Sequence, residues 1–213
     1  MNILLTGFDP FGGEAVNPAW EAVKQLEGLT IGSALVHTVE IPTVRFKAIV
    51  CLKDAIAAWD PDVVICVGQA GGSSVMRVER VAINCDDFRI GDNEGNQPID
   101  ETIVPGGPAA YFSTLPIKRI ASAWLAHGIP GKVSNTAGTF VCNHIFYGLM
   151  DLLAHDPKPR KGGFIHVPYL PEQAAKFVEQ PSMGLTTIVK ALELAVAAAV
   201  QDQDVKVTGG ELD

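Results

Sequence analysis

The sequence contains no C-x-x-C pair, no basic cluster, and no apolar run approaching the ~20 residues that span a bilayer. The four cysteines (Cys51, Cys66, Cys85 and Cys142) are widely scattered. They read as reduced thiols of a cytoplasmic protein rather than as a disulfide framework or zinc site. No His, Asp or Glu set has metal-ligand spacing, so no metal is expected. Only 19% of residues are charged, and 16 Lys and Arg stand against 24 Asp and Glu, a formal net charge of −8. That balance argues against nucleic acid or an anionic membrane as the main partner. The glycine-rich turn Gly68-Gln69-Ala70-Gly71-Gly72 is neither G-x-G-x-x-G nor a P-loop. It is a weak phosphate cradle, and equally a tight turn that brings backbone groups toward a small ligand. The start, M-N-I-L-L-T-G-F, lacks a basic n-region and reads as a first core strand, not a signal peptide.

The chain does contain enough apolar residues, 47% of 213, for a substantial buried core. Neither an internal repeat nor a linker appears, so residues 1–213 read as one domain. Apolar runs predict strands over 2–6, 34–41, 62–67, 132–135 and 163–167, with a further strand-like stretch within 79–87. Helical spacing predicts helices over 19–26, 44–59, 115–127, 140–155 and 186–200. In the second helix the expected inward residues are Phe46, Ile49, Val50, Ile56 and Trp59. The last is apolar on most sides, so buried or at a subunit contact. Residues 89–108 are too long and polar for a plain connection and suggest a lid or an interface arm. Strand and helix alternate, which implies an α/β sheet with helices on both faces and a site at the carboxyl ends of its central strands.

The chemistry concentrates at S-N-T-A-G-T-F-V-C-N-H, residues 134–144, where Cys142 falls on the first turn of a predicted helix. Unpaired backbone N–H groups and the positive end of the macrodipole there favour a thiolate, and hence a nucleophile. A thiol nucleophile needs a base within reach, and His166, at a strand end in I-H-V-P, is the matching candidate. Taken alone, Cys142 also reads as a small buried hydrophobe, and His166 as a core histidine bonded to a carbonyl. Glu79 sits among arginines in R-V-E-R, which more often marks a solvated strand or a surface ion pair. His144 lies about 200° round the helix from Cys142 and cannot share its face. The loop G-F-D-P-F-G-G carries Phe8 and Phe11, and exposed loop phenylalanines call for a ligand or a partner.

Several blocks together resemble the pyrrolidone-carboxylate peptidase (pyroglutamyl peptidase I) family: G-F-x-P-F-G, G-Q-A-G-G…E-R-V-A-I-N, D-N-E-G, Y-F-S-T-L-P, S-N-T-A-G-T-F-V-C-N and F-I-H-V-P-Y-L-P-E-Q. They run in the family's order from Thr6 to about Gln173. The resemblance implies a cysteine exopeptidase that removes N-terminal 5-oxoproline from peptides through a thioester. It implies a three-layer α/β/α sandwich around a twisted, mostly parallel (mixed) sheet, a cytoplasmic homotetramer and no cofactor. It carries the catalytic triad onto Glu79, Cys142 and His166, and the oxyanion arginine onto Arg89. Ring-binding roles fall on Phe8, Phe11, Asn17, Gln69, Phe140 and Val141. The chain departs from the family pattern at Arg77, where Ser or Thr is usual, at Phe88 and Gly91, and at Ser73, where many members carry Arg.

A flat, uncharged lactam suits an aromatic loop. Sandwiching it between Phe8 and Phe11 would contribute about 2 kcal/mol, and a free ammonium in the same slot would be rejected by its desolvation cost. Two other functions fit parts of the chain. One is a phosphorylase-like, nucleoside-processing enzyme that uses the Gly68 turn for phosphate; the other is a silent 5-oxoproline-binding protein that would need a lost triad member. Iodoacetamide is expected to label Cys142 before Cys51, Cys66 or Cys85, as read by peptide mass mapping. First labelling elsewhere would contradict the helix-terminus argument.

Overall fold

The structure is a computed structural model and describes residues 1–201 and 203–210. In chain order the elements are β1 (Asn2–Phe8), α1 (Pro18–Val23) with a 3-10 turn at Lys24–Leu26, β2 (Thr30–Ile31), β3 (Ala34–Ile41), α2 (Lys47–Trp59), β4 (Val63–Gln69), β5 (Met76–Glu79), β6 (Val81–Ile83), β7 (Ala110–Phe112), α3 (Ile117–Ala126), β8 (Gly131–Ser134), α4 (Val141–Ala154), β9 (Lys161–Val167), α5 (Pro171–Ala174) and α6 (Leu185–Ala199). Seven strands form one sheet in the order β2-β3-β1-β4-β9-β5-β8. The pairs β3–β1, β1–β4, β4–β9 and β5–β8 are parallel, whereas β2–β3 and β9–β5 are antiparallel. The fold is the expected α/β architecture with a mixed, mostly parallel sheet.

Alternation along the central strands builds two cores. Ile3 and Leu5 of β1 with Val63, Ile65 and Val67 of β4 join α1, α3 and α6 on one face. Leu4 and Phe8 with Val64 and Cys66 join α2 and α4 on the other. Both faces are covered, which is why these strands read as continuous apolar runs rather than as alternating ones. α6 is buried through Ile188, Ala191, Leu192, Ala195 and Val196, so its all-round apolarity serves the core.

Two expectations need correction. β1 and β4 extend through Gly7-Phe8 and Gly68-Gln69, so these residues are strand and not loop. In α2 the buried stripe is Ala48, Leu52 and Ala55, and of the expected inward residues only Ile49 and Ile56 pack against the core. Phe46, Val50 and Trp59 are 52%, 58% and 41% exposed, because small residues let the helix lie close to the sheet on the opposite side. β6 and β7 pair as a separate antiparallel ribbon that brackets residues 89–108. That segment is tied down: Asp86 and Glu101 exchange backbone hydrogen bonds, and Asp92 accepts from the Arg45, Glu94 and Asn96 N–H groups.

Candidate active site

β9 and β4 run in parallel register, with Phe164 beside Cys66 and His166 beside Gly68. All four positions therefore face the α2/α4 side. On the other flank β5 is antiparallel to β9, with Arg77 opposite His166. This makes Glu79, two residues on, a diagonal same-face neighbour of His166, within reach of a long side chain. His166 Nδ1 meets Glu79 Oε1 at 2.8 Å, and the glutamate is fully buried. The surface-ion-pair reading of Glu79 is thereby excluded.

α4 supplies the thiol. Phe140, with extended backbone, caps the helix, and Cys142 is its second residue. A Cβ built on Gly68 would lie 2.9 Å from Cys142 Sγ and 2.7 Å from Phe164 Cζ. Only a residue without a side chain leaves room at that point of β4, and the sulfur occupies the room. The sulfur lies on the His166 side of this slot and acts on the imidazole, and because Nδ1 is engaged by Glu79, Nε2 is the nitrogen left for it. Burial pulls the His166 pKa down, but the Cys142 sulfur and the Glu79 carboxylate outweigh it and raise it to about 9. The other thiols are poor nucleophiles. Burial pushes Cys66 up to about 12, and burial followed by neighbouring aspartates raises Cys51 and Cys85.

The residues flanking Cys142 grip a different part of the chain. Thr139 Oγ1 donates to the Asp87 carbonyl at 2.7 Å and the Thr139 carbonyl accepts from the Asp87 N–H at 3.1 Å. Asn143 Oδ1 accepts from the Ile83 N–H at 3.0 Å, and its Nδ2 donates to the Ile83 and Cys85 carbonyls at 2.9 and 3.0 Å. His144, fully buried, meets Asp86 Oδ2 through Nδ1 at 2.8 Å and accepts from the Phe46 N–H at Nε2. The first turn of α4 thus holds residues 83–87, and so sets where Arg89 begins. Arg89 is exposed and shares with Phe11 and Ile90 a cleft of about 370 Å³ that Thr139 and Phe140 also line. An adjoining cleft of about 490 Å³ adds Gln69 and Tyr169 to the same three residues.

The remaining sequence candidates divide. Phe11 and Phe140 pack at 5.9 Å between ring centroids, and Phe140 meets Phe88 edge-on at 4.7 Å. Phe8 is only 3% exposed and lies in the same apolar cluster as Phe88, Phe140, Val141 and Cys142. Asn17 is buried, with Nδ2 donating to the Asp9 carbonyl and Oδ1 capping α1 at the Ala19 N–H. Two departures from the family pattern bond each other: Arg77 Nε donates to Ser73 Oγ at 3.0 Å. Sequence reasoning missed Gly68 as the slot for the sulfur, and it missed Asn143, His144, Asp86 and Gln173. The signal for Gly68 was a glycine late in an apolar run, the mark of a close approach.

Residues 1–202 match the family model described as pyroglutamyl peptidase. The chain is 56% identical over 209 residues to the pyrrolidone-carboxylate peptidase of Bacillus cereus (strain G9842), covering 98% of this chain and 97% of the relative. It is 55% identical over 211 residues to the enzyme of that name from Bacillus amyloliquefaciens, covering 99% and 98%. The crystal structure of the pyroglutamyl peptidase I from Bacillus amyloliquefaciens superposes with a TM-score of 0.95 at 54% identity, covering 97% of this chain and 99% of that one. A mutant pyrrolidone carboxyl peptidase from the hyperthermophile Pyrococcus furiosus superposes at 0.90 with 43% identity, covering 94% and 98%.

A proton NMR titration of the His166 ring should give a midpoint near 9, because its contacts with Cys142 and Glu79 favour the protonated ring. Glu79→Gln removes one raising charge and should lower the midpoint. A wild-type midpoint at the ordinary 6.5, or one that does not move in the variant, would contradict the assignment.

Proposed function

The chain belongs to the pyroglutamyl peptidase family of cysteine peptidases, and on that premise we propose that it removes N-terminal 5-oxoproline from peptides with Cys142 as nucleophile. The observation that carries this assignment is the Glu79–His166–Cys142 chain of contacts, closed by the sulfur seated against Gly68.

The thiolate, paired with the His166 imidazolium, attacks the 5-oxoprolyl carbonyl carbon. Charge develops on the carbonyl oxygen, where the Cys142 backbone N–H at the start of α4 and the Arg89 guanidinium serve as donors. Loss of one such donor typically lowers the rate 100- to 1000-fold, roughly 3 to 4 kcal/mol. His166 Nε2 gives its proton to the leaving amine as the C–N bond breaks, leaving a thioester on Cys142. Neutral His166 then takes a proton from water, which attacks the thioester and releases 5-oxoproline and the thiolate. Glu79 holds the ring with Nδ1 toward the carboxylate and stabilises its charged form, but stays ionised itself. Phe11, Phe140 and Val141 form the apolar wall for the lactam ring, with Phe8 behind them. Gln69 and Asn17 supply polar contacts and second-layer support at its rim. A charged α-ammonium would be desolvated there without a partner, which supports selectivity for the blocked N-terminus.

The same reading takes residues 1–213 as one peptidase domain that acts without a cofactor as a cytoplasmic homotetramer. Unpaired thiols support a reducing compartment, and no described helix is long and apolar enough to cross a membrane. Exposed apolar side chains such as Ile99 and Phe112, 75% and 68% exposed on the segment around residues 89–112, support a subunit contact there.

Hydrolysis of a pyroglutamyl-anilide reporter tests the function. The wild type should cleave it without added phosphate, and Cys142→Ser should lose at least about 1000-fold in kcat. An inert wild type, or a variant that keeps its rate, would overturn the reading.

A further inference from the structure

Gln173, at the third position of α5, is 1% exposed and lies outside the triad and the ring wall. Three of the four hydrogen-bonding directions of its amide are taken, both donors among them. Its Oε1 accepts from the Leu170 N–H at 3.1 Å, and its Nε2 donates to the Val16 carbonyl at 3.3 Å and to Gln69 Oε1 at 3.0 Å. The two backbone partners decide the orientation: an N–H can only face the amide oxygen, and a carbonyl can only face the amide nitrogen. The nitrogen turned to Val16 then has its second proton for Gln69, and a donor there obliges Gln69 to present its oxygen. One amide therefore sets the flip of the next. The Gln69 nitrogen is left pointing away from Gln173, and it makes no hydrogen bond to any described residue. Gln69 ends β4 one residue after Gly68 and lines the cleft with Phe11 and Arg89.

We propose that Gln173 is a positioning residue that locks Gln69 with its amide nitrogen toward the cleft, as a donor to a carbonyl oxygen of the bound substrate. This rests on the peptidase reading above. The Val16 and Leu170 bonds hold the Gln173 amide itself in one orientation, and Gln69 is the cleft residue that this orientation reaches. A freely rotating Gln69 would present oxygen to the substrate carbonyl in part of its population, and two acceptors face to face repel. The lock selects for a substrate with a carbonyl at that point and against one with a donor.

The test uses 5-oxoproline as a competitive inhibitor and the anilide reporter as substrate. Gln173→Met keeps length and removes both donors. The inhibition constant should rise about tenfold, the effect of one misplaced hydrogen bond, with kcat changed less than about twofold. In a Gln69→Ala background the same substitution should leave the inhibition constant unchanged, because nothing remains to be positioned. Should Gln173→Met fail to fold, Gln173→Glu serves. Its carboxylate still accepts from Leu170 but repels Gln69 Oε1, and again the inhibition constant should rise only when Gln69 is present. An unchanged inhibition constant in folded Gln173 variants, or effects that persist in the Gln69→Ala background, would overturn the proposal. Reporter cleavage by the wild type tests the peptidase reading separately from this outcome.

Discussion

The site depends on one close approach, the first turn of α4 pressed against β4 at Gly68. Strand register places the side-chain positions of Gly68 and His166 next to each other on the same face of the sheet. Had position 68 carried a Cβ, it would fill the space beside the imidazole. Because it does not, Cys142 Sγ sits there, 2.9 Å from where that Cβ would be. The thiol gains a base, the helix N-terminus and a tight apolar setting from a single steric fact. The antiparallel pairing of β5 with β9 then brings Glu79 diagonally onto the far nitrogen of the same ring.

That approach needs a rigid helix start, and the residues either side of Cys142 provide it. Thr139, Asn143 and His144 together bind residues 83–87 through side-chain amide, hydroxyl and imidazole. Asp86, fully buried, carries both His144 and Arg45 on one oxygen, and Arg45 reaches on to Glu101. Phe46 takes a positive φ of 59° with ψ −44°, at the centre of a tight turn closed by the Lys47 N–H on the Arg45 carbonyl, in a position where its own N–H donates to His144. Such a conformation costs on the order of 1–3 kcal/mol and persists only when its surroundings hold it. The nucleophile and the segment that leads to Arg89 are therefore anchored by the same helical turn. A displacement of α4 would disturb both.

Much of this was legible in the sequence, and the exceptions have physical causes. The doubly covered central strands announce themselves as apolar runs, and the cap-like turn before Phe140 announces a helix with a thiol at its start. α2 misled because Phe46, Val50 and Trp59 supply a helical apolar period on the outward side, while the true inward stripe leans on alanines. β6 falls within the strand-like stretch read at residues 79–87, whereas its partner β7 is short and largely exposed, so neither alternation nor a run marks it. Cys142 and His166 could be nominated from their local contexts. Glu79 could not, because its partner lies 87 residues away and the diagonal contact exists only once the strands pair antiparallel. The blocks shared with the pyroglutamyl peptidase family supplied that link. Gly68 and Gln173 act by geometry with distant residues, which a linear reading does not contain.

The most direct measurement is the behaviour of Gly68→Ala, with hydrolysis of the pyroglutamyl-anilide reporter and the rate of Cys142 alkylation followed on protein shown to be folded by circular dichroism. The added methyl group collides with Sγ, so the account predicts a fall of at least about 100-fold in kcat, the scale of losing an aligned base, and markedly slower alkylation. Wild-type rates in a folded Gly68→Ala protein would contradict the claim that this gap in β4 seats the nucleophile.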